Sequence, residues 1–264
     1  MSLEICRTNL SFDLVETWMK NLSPEIQKLL DEFLSGLKSI LNHDLHSVYL
    51  YGAVVFPEDI PVRDIDLHVI VRNPVDEKIK QEIEKLHLKL AGKYPPWGDE
   101  LDGYYILLKD AKSRKPPRSL MWEGAVDNSW ALHCKHILAG RCKVLWGVEP
   151  EIILLEPSWG ELEEALKGEF DYVEDILSKY PDYCILNLSR IFYSYFTKDV
   201  VISKFSAGTW LSTNYPQWTE LIKAAKNSYN QASTEYDLIL MKKNVKSFFE
   251  FIVLNIENLG YNLK

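Results

Sequence analysis

The residues most able to do chemistry are Asp64 and Asp66, separated by a single isoleucine. Side chains alternate faces along a β-strand, so in an extended segment these two carboxylates point the same way. Ile65, Leu67, Val69 and Val71 supply an apolar rhythm around them. A half-buried strand is therefore expected over Asp64 to Val71. Two carboxylates this close repel when both are ionised. A divalent cation removes that repulsion, and Mg²⁺ is commonly held by one or two carboxylates together with substrate phosphates. Twelve positions before Asp64, Gly52 follows the apolar run Ser47 to Tyr51. Gly52 and Ala53 at a strand end leave room for phosphate oxygens near backbone N–H groups. A third acid is expected on a neighbouring strand. Asp102 opens the run that continues to Leu108, where it is placed to accept a proton or add a metal ligand. Asp99 and Glu100 are its rivals.

The elements that must position these groups follow from periodicity and punctuation. Ser23, Pro24 and Glu25 form a helix start, and Ile26, Leu29, Leu30, Phe33, Leu37 and Leu41 recur at helical spacing. A strand over Ser47–Gly52 and a loop over residues 53–63, marked by Pro57 and Pro61, precede the aspartate strand. A charged helix is expected over Asp76–Ala91, a strand over Asp102–Leu108, a basic proline-rich loop over residues 110–121, a helix over Ser129–Ala139 and a short strand over Cys142–Trp146. After Pro157 nothing alternates like a strand. Helices are expected over Ser158–Ser178, Asp182–Thr197, Ser203–Thr213, Pro216–Tyr229 and Ser233–Leu259. The reading is an α+β chain: a mixed sheet with flanking helices over residues 1–156, then an all-helical bundle over 157–264.

Composition excludes several classes. The chain has 264 residues, 47% hydrophobic and 26% charged, as in ordinary globular proteins. A net charge of −8 argues against nucleic acid as a partner and favours a cationic small molecule. Cys6, Cys134, Cys142 and Cys184 match no zinc spacing and are expected to be free thiols of a cytoplasmic protein. No apolar run approaches a membrane span and no signal-peptide pattern is visible, so no membrane partner is expected. His133 and His136 lie three apart on a helix and are expected to pack rather than bind metal. His68 shares a face with Asp66 and is expected to fill the strand. The Lys112 to Arg118 run is expected to be a solvated loop. Trp97, Trp122, Trp130 and Trp210 are expected to be core residues.

Tyr51, Gly52 and Ala53, followed ten residues later by Arg63, Asp64, Ile65 and Asp66, resemble the nucleotidyltransferase signature. The whole chain is similar to the aminoglycoside adenylyltransferases that act on streptomycin and spectinomycin. Leu101 to Tyr105 resembles the strand carrying that family's catalytic Glu. Leu186 to Tyr193, Ser203, Lys204 and Ala207 to Trp210 resemble its second-domain helices. The resemblance implies ATP as substrate, with Mg²⁺ held by Asp64, Asp66 and Asp102. It further implies that Gly52 and Ala53 lie at the triphosphate, that Asp102 is the base, and that Arg190 and Lys204 neutralise phosphate. Transfer of AMP to a hydroxyl of a small cationic acceptor, by a monomer, is the implied function. Two positions depart from the family pattern: Ala53 stands where the family has Ser, and Asp102 where it has Glu. Ala53 and Asp102 keep open a nucleotide-binding protein without turnover, and Lys179 to Cys184, which does not reproduce the family's antibiotic-gripping positions, keeps open another acceptor (a protein or other metabolite).

Overall fold

A computed structural model describes residues 22–56 and 62–263. Cys6, Pro57 and Pro61 lie outside the described residues. The first helix, α1 (Pro24–Leu41), begins as its residues dictate: the Ser23 hydroxyl accepts from the Ile26 N–H at 3.2 Å, and Pro24 occupies the first turn. Its apolar stripe, including Leu29, Leu30 and Phe33, is buried, each side chain contributing about 1.5–3 kcal/mol by leaving water.

Strand β1 (Leu45–Tyr51) runs into a 3-10 turn over Gly52–Val55. Strand β2 spans Ile65–Val71, so Asp64 sits one residue before the strand rather than inside it. Helix α2 (Glu77–Lys93) is capped by Asp76, and β3 spans Leu101–Leu107. A four-residue helix, α3 (Leu108–Ala111), interrupts the expected loop. Then come α4 (Trp130–Leu138) and β4 (Lys143–Trp146). The sheet order is β3-β2-β1-β4, with β2 and β3 parallel and the other neighbours antiparallel.

The period of two gives this sheet two different faces. Ile65, Leu67, Val69 and Val71 join the core formed with α1 and α2. Ile70, Tyr49 and Tyr51 join a second core with Trp130, Cys134 and Ile137 of α4. Asp66 and His68, four and two positions before Ile70, belong to this α4 face.

The rest of the described chain is helical: α5 (Trp159–Ile176), α6 (Pro181–Thr197), α7 (Lys204–Asn214), α8 (Thr219–Tyr229) and α9 (Glu235–Asn258). Helix α5 starts in a reciprocal capping box between Ser158 and Glu161. The helix expected from Pro216 begins instead as a 3-10 turn and becomes α-helical at Thr219. Helix α6 is the axis of this bundle, with ten of its residues buried. Ala131 and Leu132 of α4 pack into the same core, so α4 serves the sheet with one side and the bundle with the other. The basic stretch is not simply solvated: Arg114 donates to the Glu156 carbonyl at 2.8 Å and pairs with Glu161 at 2.9 Å.

Candidate active site

A cavity of about 280 Å³ opens between the sheet and the bundle. On the sheet side it is lined by Tyr51, Gly52, Ala53, Asp64 and Asp66. On the bundle side it is lined by Glu169, Tyr183, Arg190 and Lys204. Both aspartates thus face one space. In the sheet register Asp66 stands opposite Tyr51 on β1 and Asp102 on β3. Asp102 shares the face of Asp66 but is exposed and does not line the cavity; it stands at its edge. Asp99 and Glu100 precede β3.

Gly52 has φ +76°, a conformation that L side chains rarely adopt, and a Cβ at this position would collide with the Asp66 carboxylate. The glycine lets the chain turn away from β1 and also leaves Asp66 its place.

The electrostatics divide the cavity. Burial, reinforced by the Asp64 charge, raises the Asp66 carboxyl above the usual range. Crowding of the carboxyl by protein and the Asp64 charge raise Asp102 as well. Carboxylates so placed favour a cation. Across the cavity, burial and the neighbouring Arg190 guanidinium lower Lys204 to about 8; its ammonium lies 4.3 Å from the Tyr183 ring centroid. Arg190 pairs with Glu169 at 3.1 Å. Burial disfavours the Glu169 charge, but Arg190 and hydrogen bonds from Ser129 and Asn187 hold its carboxyl down at about 2. Two cations with one carboxylate between them form an anion-binding wall.

Arg63, next to Asp64, ties the two sides together. Its guanidinium donates to the carbonyls of Ser228 at 3.1 Å and Tyr229 at 2.6 Å and stacks 3.9 Å from the Tyr229 ring centroid. The strand approach carrying Asp64 is therefore anchored on the end of α8.

Of the residues expected from sequence, the cavity gathers Gly52, Ala53, Asp64, Asp66, Arg190 and Lys204. The expectation for the histidines needs correction. His136 does pack, with Nε2 at 2.6 Å from the Val200 carbonyl, and lines the cavity. His133 instead meets Asp127, Nδ1 to Oδ2 at 2.9 Å. Sequence reading missed Glu169, Arg63 and Asp127. Glu169 had a signal: it borders the apolar stripe of Leu162, Leu166, Phe170 and Val173. Of the four tryptophans singled out, none lines the cavity, and Trp122 is exposed rather than core.

The oxygen-only donor set of Asp64 and Asp66, whose burial and mutual repulsion raise the Asp66 carboxyl, fits a hard divalent cation such as Mg²⁺. Sheet, cavity and bundle together define an α+β nucleotidyltransferase-type fold. Residues 158–254 match the family model for the aminoglycoside adenylyltransferase C-terminal domain. The crystal structure of spectinomycin adenyltransferase AAD(9) from Enterococcus faecialis with ATP and spectinomycin superposes with a TM-score of 0.70 at 16% sequence identity. That match covers 89% of this chain and 99% of the other. A search of curated proteins finds no match. The chain is thus similar to the aminoglycoside adenylyltransferases over the helical residues 158–254, and shares the fold of the spectinomycin enzyme over most of its length. No helix among the described residues is long and apolar enough to cross a membrane.

Proposed function

We propose that this protein transfers the adenylyl group of ATP to a hydroxyl of a small cationic acceptor of the aminoglycoside class. The carrying observation is the division of one cavity into an acidic wall, Asp64 and Asp66, and a cationic wall, Arg190 and Lys204. A nucleoside triphosphate with its cation matches that division. The family match over the bundle and the ATP and spectinomycin of the similar structure support the same reading. The chain divides near Glu156 into a nucleotidyltransferase part and a helical part that close on the substrate from opposite sides.

In this reading Asp64 and Asp66 hold Mg²⁺, which neutralises phosphate charge when bound. Gly52 and Ala53 leave the triphosphate room beside Asp66. Arg190, held in place by Glu169, grips phosphate oxygens, and Lys204 adds point charge. Asp102 takes the proton of the acceptor hydroxyl. Its exposure at the cavity edge leaves it within reach of an incoming molecule, and its raised carboxyl is the better proton acceptor for it. The acidic edge and the net charge of −8 attract a cationic acceptor.

Pyrophosphate release from ATP with Mg²⁺, measured across a panel of aminoglycosides, tests the proposal. Release that requires one of these acceptors and is abolished by Asp66→Asn is expected. ATP binding without release for any aminoglycoside would leave two rival readings: transfer to another acceptor, and a nucleotide binder without turnover, which the methyl of Ala53 in the cavity wall motivates.

A further inference from the structure

His68 lies in the middle of β2, two residues past Asp66, with 0% exposure, and neither ring nitrogen has a hydrogen-bond partner. Leaving a buried polar group unpaired costs about 1–3 kcal/mol. Helix propensity, strand pairing and apolar packing give no reason for an imidazole here. Tyr51, Trp130 and Tyr104 surround it, with ring centroids at 4.3, 5.3 and 6.3 Å.

One polar atom approaches. Asp127 Oδ2 lies 3.7 Å from His68 Nε2, too long for a hydrogen bond. The same oxygen lies 2.9 Å from His133 Nδ1. Ligands bonded at 2.0–2.1 Å around a tetrahedral ion stand roughly 3.3 Å apart. The two observed separations bracket that spacing, and one ligand atom from each of the three residues lies within 4.8 Å of the others. The second oxygen of Asp127 accepts from the Ser129 N–H at 3.1 Å, which aims Oδ2 at the histidines, as supporting hydrogen bonds do in metal sites. His133 also lines the cavity, which supplies a route inward and an open ligand position.

We propose that His68, Asp127 and His133 form a binding site for a divalent transition-metal ion, with Zn²⁺ the best match, beneath the acidic wall of the cavity. Two imidazoles and one carboxylate suit zinc and its neighbours, whereas Mg²⁺ prefers oxygen alone. The site is separate from Asp64 and Asp66 and does not depend on the reaction proposed above. Its ligands come from β2 and from the segment that opens α4, so the ion clamps this helix to the strand carrying Asp66.

The test uses the full chain, stripped with a chelator and titrated with Zn²⁺ in millimolar Mg²⁺, read by calorimetry and by metal analysis after desalting. Co²⁺ supplies a visible spectrum that reports nitrogen and oxygen ligation. One equivalent of Zn²⁺ per chain is expected, with a rise in Tm. His68→Leu and His133→Ala should each weaken binding at least tenfold, and Asp64→Asn should leave it unchanged. If His68→Leu does not fold, His133→Ala, at a half-exposed position, decides. No stoichiometric uptake by the folded chain would overturn the proposal. So would uptake that survives His133→Ala but is lost in Asp64→Asn, because the ion would then sit on the cavity aspartates.

Discussion

Asp66 and Asp102 stand directly opposite each other on the parallel strands β2 and β3, 36 positions apart in the chain, one facing the cavity and the other at its edge. In the proposed function Asp66 holds a cation and Asp102 takes a proton, and their placement predicts that the two roles are separable. Asp102→Asn should lower kcat by about 100-fold or more while leaving ATP affinity nearly unchanged, since general-base catalysis contributes about 10²–10⁴-fold. Asp66→Asn should weaken binding of ATP with Mg²⁺. Equal effects of the two substitutions on nucleotide affinity, measured by calorimetry, would show that the roles are not divided in this way.

Gly52→Ala should lower kcat/KM by at least about tenfold, because the new methyl displaces the Asp66 carboxylate and small displacements are costly in an active site. Gly124→Ala is the control. Gly124 has a similar φ of +77° but only open space around an added Cβ. It shares the backbone strain without the collision, so activity there should persist while both variants lose stability by about 1 kcal/mol or more.

Lys204 trades stability for charge. Burial lowers it to about 8, from an ordinary 10.5. Between those values the folded chain holds fewer protons than the unfolded one, so Lys204 makes stability rise with pH across that window. Below about 8 its charge is carried at full cost. Lys204→Met should therefore raise the Tm by several degrees at pH 7, yet weaken ATP binding at least tenfold. In the parent protein ATP affinity should decline as pH rises past 8 and the ammonium is lost.

Asp66 behaves in the opposite sense. Its raised carboxyl carries no penalty below the ordinary aspartate range and the full penalty once ionised in the folded chain. Asp66→Asn should stabilise the metal-free protein more at pH 8 than at pH 5. Mg²⁺ should raise the Tm of the parent protein more at pH 8 than at pH 5, and this pH dependence should vanish in Asp66→Asn. Thermal unfolding in matched buffers reads both.

Arg63→Ala removes hydrogen bonds to Ser228 and Tyr229 and the stack on the Tyr229 ring. A loss of about 1–2 kcal/mol in stability is expected, with a larger proportional loss in kcat/KM, because Asp64 is no longer tethered to the bundle. Arg63→Lys should not restore it, since an ammonium lacks the planar fork.

What was legible in the sequence was carried by near neighbours. The Asp64–Asp66 doublet marked one side of the cavity, although Asp64 lies just before the strand whose period orients Asp66; the capping residues Ser23 and Ser158 marked helix starts, and the loss of alternation after Pro157 announced the bundle. Tertiary structure alone paired Arg190 with Glu169 across two helices, anchored Arg63 on Tyr229, 166 positions away, and brought Asp127 between His68 and His133. Those contacts follow from how the helices dock on the sheet, which no local spacing encodes. A strand or helix face is fixed by backbone geometry over a few residues, whereas the partner of a buried charge is fixed only when separate layers close over it.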